Sequence, residues 1–186
     1  ASDVAGKSAL IMGFGRIGQR VGALCRALGL RVAAFDPYME RSPVEGVEMV
    51  KDFRAILPET DFLCLHLPST PETRDLIGAG ELALLKRGAF VLNCARGGIV
   101  DEDVLCDALE SGHLGGAGLD VFAKEPPDTA HRLFRQEKVL LSPHNAALTE
   151  ECAIRMATQA VQNVLDCLDG KLQPRVVMNR REIGMA

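Results

Sequence analysis

Three side chains of this 186-residue sequence carry the functional groups that reduction of a 2-oxo acid needs: Arg96, Glu125 and His144. A guanidinium offers a planar fork of donors to both oxygens of a substrate carboxylate. An imidazolium can donate a proton to the ketone oxygen as a hydride reaches the carbon, and it can take that proton back in oxidation. A neighbouring carboxylate favours the charged imidazole and fixes its orientation. We therefore predict that Arg96 binds the substrate, that His144 is the general acid–base and that Glu125 is its partner.

Each of these side chains also has a plainer interpretation when it is taken singly. Arg96 can be an arginine of a surface loop, Glu125 an exposed carboxylate before two prolines, and His144 a hydrogen-bonded structural histidine. Their combination at the ends of successive predicted strands favours the functional interpretation. The other three histidines, His66, His113 and His131, are predicted to be hydrogen-bonded structural residues.

A glycine-rich loop precedes these residues in the chain. The run Gly13-Phe14-Gly15-Arg16-Ile17-Gly18 fits the pattern G-x-G-x-x-G, with a predicted strand before it and a predicted helix after it. Gly13 permits a tight turn, Gly15 lets the backbone approach a pyrophosphate, and Gly18 lets helix and strand pack closely. The free N–H groups and the partial positive charge of the helix N-terminus then favour phosphate. The loop indicates a dinucleotide site.

Asp36 ends the next predicted strand, 18 residues after Gly18. A carboxylate at this place can accept hydrogen bonds from the adenosine ribose and repels a 2′-phosphate, so that NAD is favoured over NADP. The alternative is that Asp36 is a turn residue before Pro37.

Short apolar runs alternate with amphipathic stretches along the whole chain. This alternation predicts an α/β fold of Rossmann type, a doubly wound parallel sheet in three α/β/α layers. Ligands of such sheets bind beyond the carboxyl ends of the strands, where Arg96, Asp120 and His144 are expected. The predicted strands are 8–13, 31–36, 62–67, 89–95, 115–121 and 139–142, and the predicted helices are 17–28, 53–57, 81–86, 101–109 and 149–168.

Composition excludes several function classes. The net charge is -4 and no basic patch stands out, so nucleic acid is not expected as a partner. No segment approaches the ~18 apolar residues of a membrane helix, so no membrane partner is expected. The six cysteines form no C-x-x-C pair, and we predict no metal site. Reduced thiols and the lack of a recognisable signal peptide favour a cytoplasmic protein.

The sequence resembles the D-isomer-specific 2-hydroxyacid dehydrogenases over essentially its whole length. Four motifs carry the resemblance: the glycine loop 13–18, Asn93-Cys94-Ala95-Arg96-Gly97-Gly98-Ile99-Val100-Asp101-Glu102, Gly118-Leu119-Asp120-Val121-Phe122 with Glu125-Pro126, and Ser142-Pro143-His144. The run 93–98 is also similar to that of phosphoglycerate dehydrogenases, although it is shared too widely to fix the substrate.

The resemblance implies an NAD-dependent oxidoreductase acting on a D-2-hydroxy acid, with Arg96, Glu125 and His144 at the catalytic positions. It implies that Asp120 holds the nicotinamide carboxamide and that Arg16 and Ile17 meet the pyrophosphate. The resemblance also implies that Leu67, Pro68 and Thr73 lie near the adenosine or phosphates. The remaining predicted cofactor-binding residues are Cys94, Ala95, Arg96 and His144.

Family members also carry a substrate domain built from chain on both sides of the NAD domain. We therefore expect residues 1–186 to form the NAD-binding domain, with 171–186 as the segment that leaves it, and the substrate domain to lie outside this chain. The isolated piece should bind NAD but turn over slowly or not at all, because proximity and exclusion of water come from closing two domains.

Besides the substrate, two further questions stay open on the sequence alone. Family members are commonly homodimers, and either the helix after Thr149 or the region 101–109 could supply the interface. Corepressors related to this family use an NAD-bound dimer as a protein-binding scaffold, so the alternative function is a scaffold with a similar catalytic triad.

Overall fold

Seven short strands form one parallel sheet, in the order β3-β2-β1-β4-β5-β6-β7. The computed structural model describes residues 3–180 and 182–184. The strands are β1 Ser8–Met12, β2 Arg31–Phe35, β3 Val47–Met49, β4 Phe62–Leu65, β5 Phe90–Asn93, β6 Gly116–Leu119 and β7 Val139–Leu141. The helices are α1 Arg16–Ala27, α2 Ala79–Leu84, α3 Glu102–Glu110 and α4 Glu150–Leu168, with short 3₁₀ turns at Leu57–Glu59, Arg132–Arg135 and Pro174–Val176.

The chain divides into two units, Ala1–His144 and Asn145–Ala186. The first contains the whole sheet with α1, α2 and α3. The second contains α4, which begins where the Thr149 hydroxyl accepts a hydrogen bond from the Cys152 N–H at 3.2 Å. Among the residues that the structure describes, no helix is long and apolar enough to cross a membrane.

Alternate residues of the central strands supply two apolar cores, one on each face of the sheet. Leu10 of β1 and Leu63 of β4 lie on the face covered by α2 and α3, whereas Ile11 and Cys64 lie on the face covered by α1. Side chains of successive strand residues point to opposite faces, so a strand buried on both faces needs a continuous apolar run. The predicted three-layer α/β/α architecture is confirmed.

Strand order reverses beside β1, because β2 pairs with one edge of β1 and β4 with the other. The crevice at the carboxyl ends of β1 and β4 is therefore the topological switch point of this sheet, where open α/β sheets bind ligands. The glycine loop follows β1 directly, so the fold brings it to this crevice.

Two elements differ from the sequence-based expectation. β3 was not predicted, since this edge strand has three residues, of which Val47 is buried and Glu48 is exposed. A helix over 53–57 was predicted, but the structure has turns there and a 3₁₀ turn at Leu57–Glu59. Phe53 and Leu57 are both buried, so their spacing reflects packing into the core rather than helix formation.

Candidate active site

The glycine loop between β1 and α1 is shaped by two close backbone contacts. Gly13 has φ of +86°, and a Cβ on it would lie 2.6 Å from the carbonyl oxygen of His66, at the end of β4. A Cβ on Gly18 would lie 2.1 Å from the carbonyl oxygen of Gly13. Both distances are far below van der Waals contact, so these positions require glycine. Gly15 differs, because nothing lies within 4 Å of a Cβ built on it.

The first turn of α1 offers an environment that suits a phosphate group. The N-cap residue before the helix, Gly15, provides no side-chain cap, and no acidic residue lies in the first turn. Arg16 and Ile17 are exposed at this end of the helix. Uncapped N–H groups at a helix N-terminus attract anions. The open space at Gly15 and the uncapped helix end therefore fit the pyrophosphate of a dinucleotide.

Asp36 follows β2 and ties two backbone segments together. One carboxylate oxygen accepts the N–H of Phe14 at 2.9 Å, and the other accepts the N–H of Tyr38 at 3.0 Å. Each carboxylate oxygen has a second lone pair, so these bonds leave acceptor capacity for a hydroxyl. Asp36 is thus a turn residue before Pro37, as the alternative held, and it also lies beside the glycine loop.

The segment after β4 contains three further predicted cofactor residues. Leu67 is buried and Pro68 is exposed. The Thr73 hydroxyl donates to the Pro68 carbonyl at 2.6 Å and accepts the Thr70 N–H at 2.8 Å, so it closes the turn that presents Pro68. The structure thus gives Thr73 a role in shaping this segment.

His66 precedes this segment, and its hydrogen bonding differs from the prediction. His66 follows β4 instead of lying in it, and its backbone N–H donates to the Met12 carbonyl at 2.7 Å. Within the described residues, neither ring nitrogen of His66 has a hydrogen-bond partner, and burial lowers the pKa of the ring. His113 and His131 do form the predicted hydrogen bonds, His113 with the Leu82 carbonyl and His131 with the Leu133 N–H.

Asn93 determines how the chain turns after β5 to present Arg96. Asn93 is 2% exposed, its side-chain oxygen accepts the Ala95 N–H at 3.1 Å, and its amide donates to the Arg96 carbonyl at 3.0 Å. Cys94 and Arg96 are exposed, and the Arg96 guanidinium donates to the Ala95 carbonyl at 2.6 Å. Sequence reasoning missed Asn93, although a polar residue at the end of an apolar strand was the available signal.

Asp120, immediately after β6, is buried and held by a residue that sequence reasoning also missed. Its side chain accepts a hydrogen bond from the Ser142 hydroxyl at 2.5 Å, and it is 4% exposed. Ser142 follows β7, two residues before His144. Because a buried carboxylate without partners is costly, this bond stabilises Asp120 and links it to the segment that carries His144.

Glu125 and His144 form the predicted pair. The imidazole Nδ1 lies 2.8 Å from one carboxylate oxygen of Glu125, and the other oxygen accepts the Phe122 N–H at 3.1 Å. The hydrogen bond with His144 is the largest cause that lowers the pKa of Glu125, and the bond from the Phe122 N–H is the next. His144 has φ of +54°, a left-handed backbone conformation that few non-glycine residues adopt and that recurs at functional sites. The side chains of His144 and Glu125 are 49% and 37% exposed, so ligands can reach them.

The loop that carries Arg96 contacts the loop that carries Glu125 through main-chain atoms. A Cβ on its neighbour Gly97 would lie 1.7 Å from the Phe122 carbonyl oxygen, so the loop after β5 presses against the loop after β6. The structure therefore joins Glu125 and His144 directly, and it joins the loop of Arg96 to the loop of Glu125 by contact of main-chain atoms.

A largely apolar cavity of about 320 Å³ adjoins the pair. Glu125 and His144 form part of its wall. The other lining residues are Phe122, Pro126, Pro127, Phe134, Leu141, Ser142 and Pro143.

Comparison with known protein families shows which family this chain belongs to. The model of the D-isomer specific 2-hydroxyacid dehydrogenase, NAD binding domain, matches residues 1–146. The chain belongs to this family. The match ends close to the boundary of the first unit, so the sheet, the glycine loop and the Glu125–His144 pair all lie within an NAD-binding domain of the D-2-hydroxyacid dehydrogenase family.

Individual members of the family are similar over nearly the whole chain. A D-3-phosphoglycerate dehydrogenase of Methanocaldococcus jannaschii is 39% identical over 177 residues, which are 94% of this chain and 34% of that protein. A glyoxylate reductase of Aeropyrum pernix is 40% identical over 180 residues, 94% of this chain and 52% of that protein. The crystal structure of D-lactate dehydrogenase with NAD⁺ from Lactobacillus jensenii matches with a TM-score of 0.85 at 28% identity, covering 92% of this chain and 55% of that one. The chain thus spans between about a third and about half of the length of these relatives.

Proposed function

We propose that the protein transfers a hydride between NAD and a D-2-hydroxy acid or the matching 2-oxo acid. The observation that carries this proposal is the 2.8 Å contact between His144 Nδ1 and Glu125, at the carboxyl edge of a sheet whose switch point holds the glycine loop. An imidazole with one nitrogen held by a carboxylate presents its other nitrogen for proton exchange.

His144 carries the proton in this proposal. When a hydroxy acid is oxidised, His144 Nε2 takes the hydroxyl proton, and Glu125 stabilises the resulting imidazolium. Bound NAD supplies the nicotinamide ring that accepts the hydride. In the reverse direction the imidazolium returns the proton to the ketone oxygen. General acid–base catalysis of this kind contributes about 10²–10⁴-fold to the rate.

The other predicted residues bind and orient the substrate and NAD. Arg96 holds the substrate carboxylate, for which its exposed guanidinium is suited. Asp120 accepts from the nicotinamide carboxamide, and Asp36 accepts from the adenosine ribose. The exposed start of α1 at Gly15, Arg16 and Ile17 holds the pyrophosphate, and Gly13 and Gly18 shape the loop that presents it. Leu67, Pro68 and Thr73 line the adenosine side, and Cys94 and Ala95 line the side of the nicotinamide.

A substrate domain completes the cleft in the intact protein. This part of the proposal rests on the relatives, of which the chain spans between about a third and about half. Residues 1–186 then form the NAD-binding domain, and 171–186 form the segment that leaves it. Because closure of two domains positions substrate and excludes water, this chain alone should bind NAD and turn over slowly or not at all.

We also propose that the protein is a cytoplasmic homodimer. All six cysteines are unpaired, and Cys94 and Cys167 are exposed thiols, which suits a reducing compartment. Apolar residues of α3 such as Leu105 and Leu109 are buried in the core, whereas no residue of α4 is buried. On α4, Val161 is 61% exposed and Leu168 is 80% exposed, and such apolar surface is typical of interfaces.

Light scattering tests the dimer. Val161→Lys should yield monomer, whereas the matched change Gln159→Lys, at an exposed polar position of the same helix, should leave the dimer intact. A Val161→Lys protein that remains dimeric would remove α4 as the interface.

The catalytic proposal is tested on the intact protein with NAD and a panel of D-2-hydroxy acids. His144→Ala should abolish turnover and leave the NAD dissociation constant nearly unchanged, while His113→Ala, in a turn away from the pair, should keep activity. No turnover of any substrate, with NAD demonstrably bound, would contradict the enzyme proposal. If binding to a partner protein then survived His144→Ala, the scaffold alternative would be favoured.

A further inference from the structure

A second carboxylate reaches the loop that carries Glu125. Glu102, the first residue of α3, accepts the N–H of Ala123 at 2.6 Å. Ala123 lies two residues before Glu125 in a loop that follows β6, and 21 residues separate it from Glu102. The side chain of Glu102 therefore bridges the start of α3 and the loop of the acid–base pair.

The same loop is held from a second direction by Gly97. The Phe122 carbonyl lies so close to Gly97 that a Cβ there would be 1.7 Å from its oxygen. Gly97 and Glu102 both belong to the segment that begins at Arg96 and ends in the first turn of α3. One short stretch of chain thus carries Arg96 and supports the loop of Glu125.

Glu125 depends on the position of this loop for both of its contacts. One carboxylate oxygen accepts the Phe122 N–H, and the other meets His144. Phe122 is the residue that Gly97 contacts, and Ala123 is the residue that Glu102 binds. A shift of this pair of residues would therefore change the direction in which Glu125 approaches the imidazole.

We propose that Glu102 is a positioning residue of the acid–base site: by binding the Ala123 N–H it holds the loop so that Glu125 orients His144 relative to Arg96. The proposal rests on the proposed dehydrogenase function. Ala123 is exposed, so water can satisfy its N–H when Glu102 is removed. Loss of Glu102 therefore moves the loop without unfolding the domain.

The test uses the intact protein with Glu102→Ala, Glu102→Gln and Asp103→Ala. Glutamine keeps a side-chain oxygen that can accept the Ala123 N–H. Asp103 is the neighbouring acid in the same helical turn, is 73% exposed and lies 3.5 Å from His131 Nε2. Its removal changes the charge at α3 to the same extent without touching the Ala123 N–H. We expect Glu102→Ala to lower kcat between about 10- and 100-fold, as a small misplacement of a catalytic group does. The NAD dissociation constant should change less than about twofold, because Glu102 does not contact the proposed cofactor site.

Glutamine should restore most of kcat, and Asp103→Ala should match the parent protein. Normal kcat in Glu102→Ala would overturn the proposal. An equal loss in Glu102→Ala and Asp103→Ala would also overturn it, because charge and not position would then be the cause. A Glu102→Ala protein that fails to fold would overturn it as well, since the exposed loop would then be essential to the fold.

Proton NMR of His144 gives a readout that does not depend on activity. The Nδ1 proton held by Glu125 should produce a low-field resonance in the parent protein that His144→Ala removes. In Glu102→Ala this resonance should shift or broaden, and in Asp103→Ala it should stay unchanged. If the parent oxidises no D-2-hydroxy acid, the proposed function fails while this measurement still decides the positioning role. A resonance that is identical in Glu102→Ala and the parent would refute that role.

Discussion

Ser142 and Asp120 are joined by a 2.5 Å hydrogen bond between the ends of two neighbouring strands. The pairing of Leu119 with Leu141 in β6 and β7 brings the two residues together, and the Ser142 N–H also binds the Leu119 carbonyl at 3.0 Å. The carboxylate proposed to hold the nicotinamide is thus oriented by the segment that carries His144. In the proposed function, the same segment therefore supports both cofactor binding and proton transfer.

Removal of the Ser142 hydroxyl should weaken NAD binding. A hydrogen bond to a charged group contributes about 1.5–3 kcal/mol, so Ser142→Ala should raise the NAD dissociation constant at least about tenfold. Ser142→Thr keeps the hydroxyl and should bind NAD nearly as the parent does. Isothermal titration calorimetry on the three proteins gives the comparison. Equal affinities for Ala and Ser at this position would show that Asp120 does not need this bond to hold the cofactor.

The glycines of the loop 13–18 should separate folding from cofactor binding. In Gly18→Ala the new Cβ overlaps the Gly13 carbonyl, so the domain should lose about 1–3 kcal/mol of stability. In Gly15→Ala the Cβ meets no protein atom within 4 Å, so the thermal midpoint should stay the same. The methyl group would instead occupy the space where the backbone approaches the pyrophosphate, and NAD affinity should fall about tenfold or more.

Thermal unfolding and NAD titration of both variants check these expectations. Gly80→Ala serves as a control, because a Cβ on this α2 residue also meets nothing within 4 Å and lies away from the loop. Unchanged NAD binding by Gly15→Ala would show that the open space at this position is not the pyrophosphate site.

Much of the fold was predictable from the spacing of apolar residues, because most helices and strands are regular and buried. α1 was predicted at 17–28 and observed at Arg16–Ala27, ending just before Gly29, whose φ is +83°. β3 was missed because an edge strand with one buried residue has too little pattern to detect. The predicted hydrogen bonding of His66 was wrong because sequence gives the residue type but not the partners within its reach.

The candidate site was readable in part. Residue type and strand ends predicted that Glu125 lies beside His144, and the structure brings the two side chains into contact. The contacts that position these two side chains were not predictable from the sequence, because such contacts depend on sheet register and on the close approach of loops. Ser142 reaches Asp120 through the pairing of β6 with β7, and Gly97 reaches Phe122 across two strand ends. A single sequence does not encode those distances in any local pattern.

Asp61 should make stability depend on pH in the acid range. It accepts the Lys86 ammonium at 2.8 Å and both the N–H and the hydroxyl of Ser8 at 3.0 Å. Burial acts to raise the pKa of Asp61, but the bonds from Lys86 and Ser8 outweigh it and hold the pKa below its usual range. The unfolded chain thus binds this proton more readily, so the stabilisation is fully present above pH of about 4 and is lost as pH falls through the folded pKa.

Asp61→Asn should remove this acid-range slope and lower stability at neutral pH. Urea unfolding of the parent and the variant between neutral pH and strongly acidic pH measures it. Asp52→Asn is the control, because Asp52 is exposed and binds one backbone N–H, that of Arg54. Parallel stability curves for the parent and Asp61→Asn would be inconsistent with the lowered pKa.

Asp36 should determine the choice between NAD and NADP. Its carboxylate already accepts the N–H groups of Phe14 and Tyr38, so replacement by alanine would disturb the loop as well as the charge. Asp36→Asn keeps a side-chain oxygen and removes the charge that repels a 2′-phosphate. The ratio of the NADP to the NAD dissociation constant should therefore fall at least about tenfold. Most of the change should come from tighter NADP binding, and the effect should weaken as salt screens the charge. Titrations of both nucleotides with the parent and the variant measure this ratio, and a parent that binds NADP better than NAD would refute the assignment of the cofactor.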